Sequence, residues 1–143
     1  MRLRDEGMCF GCGKNNPIGL KLEFDLDEDG MAVEGRFTPR REHEGYTGIV
    51  HGGIVATMLD EAMVKLVWDL GISAVTASLE VRMVKPVRVG GELVIRGRVD
   101  SQQGRMIYTS AEVEDTEGNV LARGKAKCMR VEIKEGYIGG RET

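Results

Sequence analysis

Residues 51–70 read His51-Gly52-Gly53-Ile54-Val55-Ala56-Thr57-Met58-Leu59-Asp60-Glu61-Ala62-Met63-Val64-Lys65-Leu66-Val67-Trp68-Asp69-Leu70. Ile54, Val55, Met58, Leu59, Ala62, Met63, Leu66, Val67 and Leu70 recur at helical spacing, and Gly71 is a natural C-terminal stop. The spacing predicts one long helix. Ala56, Asp60, Val64 and Val67 fall together on its wheel beside the main apolar arc, so the helix is apolar nearly all round. Such a helix is buried on most sides. A single sheet covers only one of them, which implies a second subunit or a further layer.

The flanks read as strands. Leu20 to Leu26 alternates apolar and polar residues, Asp29-Gly30 is a hairpin signal, and Met31 to Thr38 reads as the return strand. After the helix come four strand-like runs, Val75–Val84, Glu92–Asp100, Arg105–Glu114 and Asn119–Val131. They are separated by Gly90-Gly91, Gln103-Gly104 and Glu117-Gly118. Short turns between consecutive strands imply an antiparallel sheet. The pattern predicts an α+β chain with about six strands and one helix over one face. Residues 1–143 form a single domain on this reading. Residues 1–17 are an irregular CxxC segment, and 134–143 are a polar, flexible tail.

Composition narrows the class. With 143 residues, 20 Lys+Arg against 23 Asp+Glu and 41% hydrophobic residues, the chain is neither disordered nor membrane-spanning. A mildly acidic balance argues against a nucleic-acid partner. No apolar run follows the charged N-terminus, so no signal peptide is read. Three cysteines are a poor disulfide framework, and a reducing cytoplasm is expected. The 20 glycines are about twice the average usage of ~7%.

Two acids sit in the helix. Glu61 has Lys65 at i+4, the favourable order for an ion pair, and reads as solvated. Asp60 has Ala56 and Val64 at i±4 and no local cation, so its protonation should be perturbed. Two readings stand: a buried Asp satisfied by backbone or a hydroxyl, or a general base or nucleophile. Ahead of the helix, His51-Gly52-Gly53 leaves backbone N–H groups at the positive end of the dipole, suited to a polarised carbonyl. Gly53 and Asp60 face the same way but lie roughly 10 Å apart along the axis at ~1.5 Å per residue. Two antiparallel copies of the helix would bring one chain's glycine N–H opposite the other's Asp60, a site at a dimer interface.

Residues 45–64, Gly45-Tyr46-Thr47-Gly48-Ile49-Val50-His51-Gly52-Gly53 through Asp60 to Val64, resemble the signature of hotdog-fold acyl-CoA thioesterases of the PaaI-like, 4-hydroxybenzoyl-CoA thioesterase superfamily. Leu79 to Val87 with Gly90-Gly91-Glu92, and Ala122 to Ala126, are similar to later strands of that family. Cys9-Phe10-Gly11-Cys12-Gly13 with Asn16-Pro17 and Gly19-Leu20 is similar to the N-terminal segment of one subgroup.

The resemblance implies a hotdog fold, a curved antiparallel sheet wrapped around one central helix, with protomers joining their sheets as a homodimer or a tetramer of two dimers. It implies hydrolysis of an acyl- or aroyl-CoA thioester to free acid and coenzyme A, with coenzyme A as part of the substrate and no separate cofactor. Asp60 would act on water as general base, or as nucleophile. Gly52 N–H would polarise the carbonyl, with His51 positioning the loop and Thr76 orienting the water. Gly53 would join in substrate binding, and Lys85 and Arg88 are candidates for the coenzyme A phosphates. One departure stands out. Many members carry Asn or Gln six residues before the His, where this chain has Gly45.

Other motifs carry less. Cys9 and Cys12 form a CxxC, but Cys128, His43 and His51 are poorly spaced to complete a zinc site, so no metal is expected and packing of the N-terminal segment is the reading. Met58, Met63 and Trp68 read as core and tunnel wall. No serine elbow, P-loop or dinucleotide fingerprint occurs. The alternatives to a thioesterase are a non-catalytic acyl-CoA-binding or sensing module, motivated by Gly45, and a hotdog hydratase, which lacks its Asp/His pair after Asn16-Pro17.

Overall fold

Helix α1 spans Gly52–Asp69 and lies across one face of a six-stranded sheet. The computed structural model describes residues 3–27 and 29–131, and the backbone of 137–138 and 141–142. The strands are β1 (Phe24–Leu26), β2 (Ala32–Phe37), β3 (Ala74–Met83), β4 (Leu93–Gln103), β5 (Met106–Glu114) and β6 (Val120–Arg130). Their order is β1-β2-β4-β5-β6-β3 and every neighbouring pair is antiparallel. The two strands before the helix thus lie at one side, and β3, the first after it, crosses to the far edge.

The apolar arc of α1 is the core. Val55, Met58, Leu59, Ala62, Met63, Leu66 and Val67 are buried against Ile95, Ile107, Val113, Ala122, Ala126 and Cys128 of the sheet. Two glycines set how closely the layers approach. A Cβ on Gly97 of β4 would stand 2.8 Å from the Ala62 carbonyl oxygen, and one on Gly124 of β6 would stand 3.1 Å from Leu59 Cβ. The strands pass under the helix where they carry no side chain. The opposite sheet face is polar and laced by cross-strand ion pairs. Arg96 bridges Glu34 and Glu114, and Arg36 meets Glu92.

Two expectations need correction. The first strand is short. Lys21 has φ +55°, and Leu20 and Leu22 instead hydrogen-bond through their N–H groups to the carbonyls of Phe10 and Gly11. Their buried side chains give the alternation of a strand without the ladder. The strands on either side of Gly90-Gly91 are not neighbours as consecutive strands with a short turn would be, because β3 pairs with β6 instead of β4. In the tail, Tyr137–Ile138 (β7) pairs with Arg141–Glu142 (β8), and the rest of the expected flexible tail over 134–143 lies outside the described residues.

Gly97→Ala should lower unfolding stability by about 1–3 kcal/mol, because a backbone carbonyl must shift to admit the methyl. Gly91→Ala, where a Cβ meets nothing within 4 Å, should stay within about 0.5 kcal/mol of wild type. Parallel urea titrations of the two variants measure this difference.

Candidate functional site

The helix begins where His51 caps it. His51 Nδ1 accepts from the Gly53 N–H at 2.9 Å, and His51 N–H donates to the His43 carbonyl at 2.8 Å. This corrects the part given to Gly53, whose N–H is engaged by the cap. Among the described residues the Gly52 N–H has no partner, so of the two glycine amides it is the one free at the dipole's positive end. Gly52 lines a cavity with Ile49, Val55, Met83, Lys85 and Pro86. Arg88 stands next to this loop through a backbone bridge to Ile49. Lys85 and Arg88 are both exposed, and neither forms an ion pair among the described residues. At Gly45 a Cβ would stand 3.3 Å from His51 Cα. An amide side chain there would crowd the cap.

Asp60 sits two turns further along, on the helix face that the sheet does not cover. Thr76 Oγ1, on edge strand β3, donates to Asp60 Oδ1 at 3.0 Å. Burial raises the carboxyl above the ordinary Asp range, and the Thr76 hydrogen bond opposes that shift. The carboxylate has no salt-bridge cation among the described residues. It lines a cavity of about 540 Å³ with Val64, Trp68, Ala74, Val75 and Thr76. Met58 and Met63 are fully buried core, whereas Trp68 is a wall of this cavity.

The structure therefore divides the sequence-predicted residues into two groups within one chain. Asp60 and Thr76 meet in one cavity. His51, Gly52, Gly53 and Lys85 gather around the helix start at another. The eight residues from Gly52 to Asp60 amount to roughly 12 Å along the axis, too far for one carbonyl to touch both.

Glu61 departs from its expected place. Lys65 Nζ binds Asp69 Oδ1 at 3.0 Å rather than Glu61. The Glu61 side chain turns under the N-terminal segment, with Cys9 Sγ 3.6 and 3.7 Å from its two oxygens. Burial raises its pKa, and hydrogen bonds from Cys12 and Cys9 counter that. The helical spacing offered Lys65 an acid on each side. Cover by residues 9–12, a contact 52 positions away in sequence, decided between them.

The chain belongs to the thioesterase superfamily, whose family model matches residues 47–122, more than half of it. Acyl-coenzyme A thioesterase THEM4 of Bos taurus is 31% identical over 116 residues, which cover 81% of this chain and 48% of that protein. The chain spans about half the length of such curated relatives. Protein RHA08564, a thioesterase superfamily protein, superposes with a TM-score of 0.80 at 25% identity, over 89% of this chain and 69% of its own. A hypothetical thioesterase protein from Streptococcus pneumoniae TIGR4, solved with coenzyme A, has a TM-score of 0.73 at 19% identity over 80% of this chain and 88% of its own. It has also been solved with an aspartate and a threonine, sixteen positions apart, each replaced by alanine. These likenesses agree with the expected hotdog arrangement of one helix on a curved six-stranded sheet.

Asp60→Asn should stabilise the fold at neutral pH, because Asn keeps an acceptor for Thr76 and removes a desolvated charge. A carboxyl whose folded pKa is raised contributes stability at low pH that is lost as pH rises through the unfolded and then the folded value. Glu61, beside it in the chain, and Cys128 on β6 are the neighbouring titratable groups and are the same in both proteins. The gap between variant and wild type should therefore widen from acid to neutral pH. Thermal unfolding across that range measures it, and a constant gap would contradict the assignment of the shift to Asp60.

Proposed function

We propose that the protein hydrolyses an acyl- or aroyl-CoA thioester to the free acid and coenzyme A. The observation that carries this reading is the half-buried Asp60 carboxylate, held by Thr76 at the wall of a largely apolar cavity, in a chain of the thioesterase superfamily. Two supports come from the relatives. Curated relatives are named acyl-coenzyme A thioesterases. The sixteen-residue spacing of the aspartate and threonine replaced in the Streptococcus protein is also the spacing of Asp60 and Thr76.

In this mechanism Asp60 takes a proton from water as the water oxygen attacks the thioester carbonyl carbon. Thr76 fixes one carboxylate oxygen and leaves the other for the water. The tetrahedral oxyanion accepts a hydrogen bond from the Gly52 N–H, which the His51 cap keeps at the helix start. Collapse of the intermediate breaks the C–S bond. The coenzyme A thiolate leaves and takes up a proton, a good leaving group because thiols are far more acidic than alcohols. Lys85 and Arg88, exposed beside Gly52, serve the coenzyme A phosphates. With its thiols free, the protein suits a reducing cytoplasm.

The site is shared between two copies of the chain. Edge strand β3 runs from Thr76, at the Asp60 cavity, to Met83, whose Cε lies 3.6 Å from where a Gly52 Cβ would be. Its free side is unpaired among the described residues and carries exposed Leu79, Met83 and Val84, a template for another strand. Two-fold antiparallel pairing of β3 with its copy sets the Asp60 end of one chain beside the Gly52 end of the other. Two such dimers then pair as a tetramer.

Asp60→Asn should cut turnover by about 10²–10⁴-fold, read as free-thiol release over a panel of acyl-CoA chain lengths and aryl thioesters. Tight binding by wild type without thiol release would instead favour a sensing module. Sharing between subunits has a separate test. Gly52→Pro deletes the N–H at the first helical position, where proline fits. Equimolar mixing of Gly52→Pro with Asp60→Asn gives hybrids in half of the dimers, each with one intact site of two. Activity should return to about a quarter of wild type, and no recovery despite demonstrated exchange would overturn the shared site.

A further inference from the structure

Asp60 accounts for one of the two adjacent helix acids. Glu61 faces a second cluster that the thioesterase reading leaves unused. The Cys9 and Cys12 sulfurs and a Glu61 carboxylate oxygen all lie within 4.8 Å of one another. Among the described residues, Glu61 has no salt-bridge partner, since Lys65 is engaged by Asp69. Its hydrogen-bonding partners are the two thiols. A carboxylate turned toward two sulfurs, with no cation paired to it among the described residues, is a poor packing arrangement for a neutral CxxC turn. It is a suitable one for a cation.

The turn that presents the sulfurs is built independently of any ligand. Gly13 N–H closes it on the Cys9 carbonyl at 2.8 Å, and Asn15 N–H donates to the Gly7 carbonyl at 2.9 Å. The Asn16 side-chain amide donates to the Met8 carbonyl at 3.1 Å. Two glycines in the motif make room for close contacts, Gly13 against backbone and Gly11 against the Glu61 side chain. A Cβ on Gly13 would stand 2.4 Å from Cys9 N, and one on Gly11 would stand 2.5 Å from Glu61 Oε2. The first allows the tight turn. The second allows the carboxylate to press against the loop.

We propose that Cys9 Sγ, Cys12 Sγ and a Glu61 carboxylate oxygen bind one zinc ion, with a fourth position open to the cavity that also holds Asp60. The donor set selects the metal, because thiolates bind Zn²⁺ well while Mg²⁺ and Ca²⁺ take oxygen ligands. The spacing fits as well. Zn–S of about 2.3 Å and Zn–O of about 2.0–2.2 Å at a tetrahedral angle put sulfur and oxygen about 3.6 Å apart. The Cys9 sulfur lies 3.6 and 3.7 Å from the two Glu61 oxygens. Binding displaces the thiol protons to solvent and leaves two thiolates and a carboxylate around the ion. A redox pair is disfavoured because burial and the same carboxylate oppose the free Cys12 thiolate that disulfide exchange requires. Zinc here ties the N-terminal segment to α1 next to the Asp60 cavity. The inference rests on the cluster alone and stands whether or not the protein cleaves thioesters.

The test uses the full chain, reduced and stripped of metal, titrated with Co²⁺ and then Zn²⁺. The expected result is saturation at one equivalent with a sulfur-to-cobalt charge-transfer band and the intense visible bands of a tetrahedral ion, abolished by zinc. Cys9→Ser and Cys12→Ser should each weaken binding by at least about 100-fold, more than the loss of an outer-shell partner. Glu61→Gln should weaken it less, and Cys128→Ser should leave it unchanged. On the wild-type protein, zinc should protect Cys9 and Cys12 from alkylation, mapped by peptide mass, so the assignment does not depend on a variant folding. A weak octahedral cobalt spectrum without charge transfer, or alkylation of Cys9 and Cys12 unaffected by zinc, would overturn the site.

Discussion

The distance between α1 and the sheet governs the rest of the molecule. Gly97 and Gly124 let β4 and β6 approach the helix until the Ala62 carbonyl oxygen and the Leu59 Cβ stand 2.8 and 3.1 Å from where a Cβ would be. At that separation the core side chains of Met58, Leu59, Met63 and Leu66 are fully enclosed, in a core formed by the sheet with Leu20, Leu22, Val50 and Val87 of the flanking segments. The sheet can close around only part of the helix circumference. A second face is left half-buried, and it carries Ala56, Thr57, Asp60, Glu61, Val64 and Trp68.

On that remaining face, two consecutive acids meet different chemistry because successive helical residues point about 100° apart. Asp60 turns toward β3 and receives a hydroxyl from Thr76. Glu61 turns toward the N-terminal turn and receives two thiols. Desolvation pushes both carboxyl groups up, but a hydroxyl leaves a carboxylate able to accept a proton, whereas a pair of thiols offers ligands that a cation can convert to thiolates. Desolvation in the same direction thus supports two separate uses within one helical turn.

The helix, the β4-β5 and β5-β6 hairpins and the isolation of Asp60 were legible from local periodicity, because each depends on residues a few positions apart, whereas the crossing of β3 to the far edge beside β6 rests on contacts distant in sequence and was not. The His51 cap was visible as a motif, but not that its ring would engage the Gly53 N–H and leave Gly52 free, which depends on a rotamer. Leu20 to Leu22 misled because alternation reports burial, and these buried side chains sit in a segment that hydrogen-bonds to residues 10–11 rather than to a sheet partner. Glu61 misled because an i,i+4 pair is worth only about 0.2–0.5 kcal/mol. Packing of a segment fifty residues away easily overrides that. No local spacing signals a ligand set split between a CxxC turn and a distant helix.

The separation of Asp60 from Gly52 gives the edge strand its meaning. A general base and a carbonyl-polarising amide serve one reaction only when both lie about 3 Å from the reacting atoms. The rise of α1 forbids this within one chain. β3 touches both half-sites, Thr76 at one end and Met83 at the other. In the proposed dimer a two-fold axis near its middle would join them and create two equivalent sites at once. Such pairing would also cover Leu79 and remove an exposed strand that would otherwise invite aggregation. On this arrangement the same contact that protects the sheet edge completes the site, so loss of the pairing and loss of activity are one event.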